Sequence, residues 1–151
     1  MAHPRRSRPV ILIVDSSVAV KWFTNEPRND IAKRIILLDA ELIAPEWGLA
    51  EIGNALWRKV RRSELTFDQA LEAIREVSRQ LEWVRCTTAT MVSALELGRR
   101  LDHSIYDCLF LALALERSDA KLITDDDKFA AKAASSGFGA TVMKLGADPL
   151  E

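Results

Sequence analysis

Only two histidines, two cysteines and six glycines occur among the 151 residues, and each scarcity closes off a class of chemistry. Cys86 and Cys108 have no Cys-x-x-Cys or Cys-x-x-His company, which excludes a disulfide framework and a structural zinc site. They read as buried thiols of a reducing cytoplasm. His3 falls in a start rich in proline and arginine, and His103 stands alone in a helix connection, where polar surface is a plainer reading than a ligand. No Gly-x-Gly-x-x-Gly or Walker sequence is present, and no Ser or Cys stands in a nucleophile elbow. Nor does any apolar run approach the ~20 residues that span a bilayer. Arg5, Arg6 and Arg8 lead only into the short stretch Val10 to Val14, which runs straight into Asp15, the pattern of neither a signal peptide nor an anchor. Charge of one sign is lacking as well. With 21 basic and 22 acidic residues the formal net charge is −1, so a polyanionic partner has to be held by a local basic patch or by bound metal.

What is present is a chain that is 48% hydrophobic, long enough to bury a core without staples. We expect residues 1–9 to be a flexible basic leader and residues 10–151 a single domain. Val10 to Val14 is continuous, aliphatic and partly β-branched, as in a strand buried on both faces of a parallel sheet. Ser16 or Ser17 then caps a helix through Trp22, and Asn29 and Asp30 restart one through Leu38 after the break at Pro27. Leu42 to Ala44 reads as a strand, and Pro45 opens a helix from about Glu46 to Arg62. Thr66 with Gln69 resembles a capping box for the next helix, which runs to about Leu81. Trp83 to Cys86, Leu122 to Thr124 and Thr141 to Leu145 read as strands; Thr88 to Arg100, Ser104 to Arg117 and Asp126 to Ala134 read as helices. Strands alternating with helices predict a doubly wound α/β sheet.

In such sheets ligands bind beyond the carboxyl ends of the strands. Asp15 stands there after the first strand, and Asp125, Asp126 and Asp127 stand there after Thr124. Each acid has a bland explanation. Asp is common where a strand turns into a helix, Glu51 sits at the edge of an apolar helical stripe, and Ser104 with Asp107 has the spacing of a second capping box. Taken together they supply several hard oxygen ligands of the kind Mg²⁺ and Mn²⁺ prefer. Two such ions about 3.5–4 Å apart activate water and stabilise a departing oxygen, with no nucleophilic side chain or histidine required. An aspartyl-phosphate protein is the competing enzyme reading, since Asp15 follows a strand. It fits poorly: a haloacid-dehalogenase-type phosphatase wants a second Asp where Ser17 stands, and a receiver domain places its Asp on a later strand.

Four segments in order, VDSSVAVKWF, PEWGLAEIGNALWR, HSIYDCLFLALALE and LITDDDKF, together resemble the PIN-domain family, particularly its VapC-type toxins. The last is similar to the family's Thr-x-Asp-x-x-Phe ending, and the match extends from Val10 to Leu145. The resemblance implies an acidic cluster of Asp15, Glu51, Asp107 and Asp126 that holds Mg²⁺ or Mn²⁺. Asp15 and Asp107 would be the direct ligands, and Ser17, Asn54 and Thr124 would support them. Three consecutive acids depart from the family's single one, so Asp125 stays open beside Asp126 as the fourth acid. The fold it implies is PIN-like and three-layered, a central five-stranded parallel sheet with helices on both faces. The function it implies is a metal-dependent endoribonuclease with an RNA substrate, a cognate VapB-type antitoxin and self-association as a homodimer in the cytoplasm. A non-toxin RNA-processing nuclease and a non-catalytic binding module remain the alternatives. Arg58, Arg61 and Arg62, with Lys59, Arg99 and Arg100, are candidate contacts to RNA phosphates, although such runs are usually a solvated helix face. Trp22, Phe23, Trp47 and Trp57 fit a partner interface less readily than a core.

Overall fold

A computed structural model describes residues 8–147. The expected leader lies outside the described residues as far as Ser7. Five strands, β1 (Val10–Val14), β2 (Ala40–Pro45), β3 (Glu82–Val84), β4 (Lys121–Thr124) and β5 (Val142–Lys144), form one sheet in the order β3-β2-β1-β4-β5. Every pairing is parallel. The aliphatic run at the start is thus a central strand, as its unbroken hydrophobicity implies. Leu12, Ile13 and Val14 are 0–1% exposed, each such burial contributing about 1.5–3 kcal/mol.

Among the described residues seven α-helices accompany the sheet: α1 (Ser16–Ala19), continued by a 3₁₀ turn at Val20–Trp22, α2 (Asn29–Ile35), α3 (Gly48–Arg61), α4 (Phe67–Gln80), α5 (Thr88–Leu101), α6 (Ile105–Leu115) and α7 (Asp127–Ala133). Side chains alternate along β1 and so feed two cores. Leu12 and Val14 pack with Trp22, Ile35, Ile52, Leu56 and Val77 on one face. Ile13 packs on the other with Leu97, Leu101, Phe129 and the whole buried length of α6 from Cys108 to Ala114. A helix apolar all round is accounted for by this position, wedged between the sheet and α5.

Several local expectations hold and several need correction. Thr66 does form the capping box with Gln69, through bonds of 2.8 and 3.1 Å. At α6 no such box forms: the Ser104 hydroxyl accepts from the Tyr106 amide, and Asp107 turns away to another partner. In the helix after β1, Asp15 rather than a serine occupies the N-cap position, without a side-chain capping bond, and the α-helix ends at Ala19, because its last turn tightens to 3₁₀. The helix begun at Asn29 stops at Ile35, three residues short of Leu38. Cys108 is buried, while Cys86 is only partly so; both are free thiols. Trp22 belongs to the core, whereas Trp57 is 51% exposed.

The strand order reverses direction at β1, with β2 on one side and β4 on the other. Loops leaving these two neighbours diverge to opposite faces and open a crevice at their carboxyl ends. Asp15 and the acids after Thr124 emerge there.

Candidate active site

A groove of about 430 Å³ occupies this crevice, and Asp15, Glu51, Asp107, Asp125 and Asp126 all line it. The chain brings them from four separate elements. Asp15 leaves β1, Glu51 lies in the first turn of α3, Asp107 in the first turn of α6, and Asp126 caps α7. Ser17, on α1, also lines the groove.

Asp15 is only 5% exposed, and among the described residues no side-chain cation forms an ion pair with its carboxylate. Its Oδ2 accepts hydrogen bonds from Thr124 at 2.6 Å and from Ser17 at 3.0 Å. Burial raises its pKa to about 6; the Thr124 hydrogen bond resists that rise and the nearby Asp107 charge adds to it. The Glu51 carboxylate takes a hydrogen bond from Ser16 at 3.0 Å. Burial again dominates its shift, to about 7, with the charges of Asp15 and Asp107 adding to it against the Ser16 bond. Asp107 is also raised, first by burial and then by Asp126, against a lowering hydrogen bond from His103. Burial is the largest cause in all three, and the proximity of the carboxylates to one another adds to it.

Thr124 is a hub. Its hydroxyl donates to Asp15 and accepts the Asp126 amide at 3.1 Å, so the ends of β1 and β4 are tied through one buried side chain. Asp126 accepts the Phe129 amide at 2.9 Å and lies with Asp107 and His103 in a cluster whose candidate ligand atoms are all within 4.8 Å of one another. Asp125 is placed differently. Its carboxylate is matched by Lys21 at 3.1 Å and Arg28 at 2.9 Å, and its amide donates to Ser17. Of the two neighbouring acids, it is Asp126 that lies with Asp107 and His103.

The far wall is basic. Arg58 and Arg62 line it with Lys21 and Lys59, but Lys59 is already engaged by Glu26 and Glu64, both at 3.0 Å. At about 100° per residue, Arg58 and Arg62 lie within roughly 20° of Glu51 around α3, while Asn54 is about 60° off. Asn54 is accordingly exposed and outside the groove. Arg61 faces a separate shallow depression with Arg58 and Arg62.

Three features of the site were not anticipated. Ser16, rather than only Ser17, contacts an acid. Lys21 is 7% exposed and opposes Asp125. His103, expected at the surface, is instead packed in with Nε2 2.7 Å from Asp107 Oδ2. Its spacing of four from Asp107 was the signal available. What hid it is that His103 precedes the helix, so the contact depends on how α5 turns into α6.

A PIN domain family model matches residues 12–135. Ribonuclease VapC3 of Pyrobaculum aerophilum is 31% identical over 124 residues, covering 80% of this chain and 93% of that protein. Among solved structures, VapBC2 of Rickettsia felis bound to a DNA fragment from their promoter has a TM-score of 0.67 at 15% identity, over 89% of this chain and 98% of that one. VapC20 of Mycobacterium tuberculosis, a sarcin-ricin loop cleaving toxin, has a TM-score of 0.61 at 21% identity, over 80% of this chain and 94% of that one.

Proposed function

The chain belongs to the PIN-domain family, and we propose that it is a divalent-metal-dependent endoribonuclease, the toxin of a VapBC-type pair. The observation that carries this reading is that four carboxylates distant in sequence line one groove, with no side-chain cation among the described residues to balance Asp15 or Glu51. Buried anions without partners are costly. An all-oxygen donor set of this kind suits Mg²⁺ or Mn²⁺, and three upward-shifted carboxyls are the groups a dication would relieve.

Asp15 and Asp107 would hold the metal directly, with Glu51 and Asp126 completing the acidic wall. A bound dication supplies Lewis-acid polarisation of a phosphoryl oxygen and a lowered pKa for an attacking water. The protein supplies orientation. Thr124 and Ser17 both donate to Asp15 Oδ2, and the Ser16 backbone adds a further hydrogen bond, so the carboxylate is held in place at the groove. Ser16 does the same for one oxygen of Glu51. Arg58 and Arg62 are set to take phosphates of the RNA strand on either side of the scissile one, giving register without reading bases.

A cognate antitoxin of VapB type and self-association as a homodimer belong to the same reading. α5 and the end of α6 leave Met91, Val92, Leu95 and Leu115 38–55% exposed, apolar surface that a partner copy would cover. Among the described residues no helix is long and apolar enough to cross a membrane.

The test is cleavage of structured RNA by purified protein with Mg²⁺ or Mn²⁺, beside Asp15→Asn and Asp107→Asn. The wild type cuts, chelation stops it, and each variant loses on the order of 100-fold or more in rate, as expected when a positioning ligand of the reacting centre is removed. Equal cleavage by all three proteins rules the assignment out. Growth arrest on induced expression, absent for Asp107→Asn and relieved by the product of a small neighbouring upstream gene, separates a toxin from a solitary RNA-processing nuclease.

A further inference from the structure

We propose that His103 is a positioning residue of the acidic site, holding one oxygen of Asp107 so that the other is presented to the groove and bracing the turn that aims Asp126. The inference rests on the metal-dependent reading above. Its first support is the contact itself. His103 Nε2 lies 2.7 Å from Asp107 Oδ2, and the imidazole side chain is only 10% exposed. That separation is hydrogen-bond length, and against an ionised Asp107 carboxylate, which can only accept, Nε2 is the donor.

The second support is on the other side of the ring. The imidazole lies against Phe129 with centroids 4.9 Å apart and planes inclined by 32°. Phe129 is 1% exposed, and its amide is the donor that Asp126 Oδ1 accepts. One side chain therefore touches Asp107 directly and reaches Asp126 through the residue that Asp126 caps.

The chain also invests in placing it. α5 ends at Asp102 in the left-handed region, with φ of 49°, and the amides of Asp102 and His103 both donate to the Gly98 carbonyl. A Cβ on Gly98 would stand 2.6 Å from Ile105 Cδ1 and 3.4 Å from the His103 carbonyl, so a side chain there would force the Ile105 tip to shift beside the connection. From α7, Lys132 ties the connection down by donating to the Asp102 carbonyl.

Mn²⁺ titration of the purified protein, read by electron paramagnetic resonance of the free ion, tests this without reference to cleavage. His103→Phe keeps the ring packing and removes the donor; His103→Gln keeps a donor of similar reach. We expect His103→Phe to weaken Mn²⁺ binding about 10- to 100-fold, the range for loss of a group that orients a metal ligand, and His103→Gln to recover most of the loss. Far-UV circular dichroism establishes that both fold. Wild-type affinity in His103→Phe would overturn the proposal, leaving the imidazole a packing group. Equal loss in His103→Phe, His103→Gln and Asp107→Asn would overturn it in favour of direct ligation by the imidazole. Absence of Mn²⁺ binding in the wild type would remove the metal-dependent reading itself, and His103's role with it.

Discussion

Replacing Asp15 with Asn should make the metal-free protein more stable while removing its capacity to bind a cation. The carboxyl titrates at about 6 in the folded chain against an ordinary 3.8. Between those values the folded protein keeps a proton that the unfolded chain has lost, so stability falls as pH climbs through that window and stays lower above it. Two units correspond to about 3 kcal/mol at most. Asn forfeits little in return, because its amide oxygen accepts from Thr124 and Ser17 where Oδ2 now does. A net gain of about 1–3 kcal/mol at pH 8 is expected, a rise in Tm of roughly 3–8 °C for a domain of this length. The gap should narrow steadily from pH 7 to pH 4. Saturating Mn²⁺ should reverse the order, since the wild type gains about 4.1 kcal/mol at a thousandfold excess over Kd and the variant gains nothing. Thermal melts in chelator and in Mn²⁺ across this pH range read all of it. A variant less stable than wild type in chelator at pH 8 would refute the claim that Asp15 is a buried charge without a compensating partner.

Metal affinity should tighten as pH rises from 5 and level off only above about 8, because Glu51 titrates at about 7 and Asp15 at about 6 and both must lose protons to bind; calorimetry in buffers of different ionisation enthalpy measures the protons released, and a flat profile contradicts the mechanism. Thr124→Val keeps the shape of a fully buried residue but removes both the donor to Asp15 and the acceptor for the Asp126 amide. It should cost about 1–3 kcal/mol in urea unfolding and slow RNA cleavage; unchanged stability would show the hub to be unimportant. Arg58→Gln with Arg62→Gln should weaken RNA binding and lower the salt slope by about 1.4, two contacts at ~0.7 each for single-stranded nucleic acid, measured in the Asp107→Asn background; an unaltered slope places the RNA elsewhere.

The sheet was legible because its central strand has no polar residue to interrupt it, and β1 could be placed from Val10 to Val14 alone. α6 was legible for the same reason: seven consecutive residues from Cys108 to Ala114 are apolar and all are buried. The convergence of Asp15, Glu51, Asp107 and Asp126 on one groove followed from position rather than periodicity. Acids at the ends of β1 and β4 meet at the crevice in any doubly wound sheet, but nothing in the spacing of α3 or α6 told Glu51 or Asp107 which way to face. There the family resemblance supplied the expectation. What stayed hidden depends on contacts between elements. Asp125 and Asp126 are adjacent and chemically identical, and only the positions of Lys21 and Arg28 around the first separate them. Ser104 and Asp107 have the spacing of a capping box, yet His103 competes for the same carboxylate and takes it. Local pattern cannot register a competitor whose position is set by the packing of α5, α6 and α7.

The most direct measurement is anomalous diffraction from crystals of the protein soaked in Mn²⁺. A manganese peak is expected in the groove, bonded to carboxylate oxygens of Asp15 and Asp107. A map with no peak at those carboxylates, in crystals whose groove is open to solvent, would contradict it.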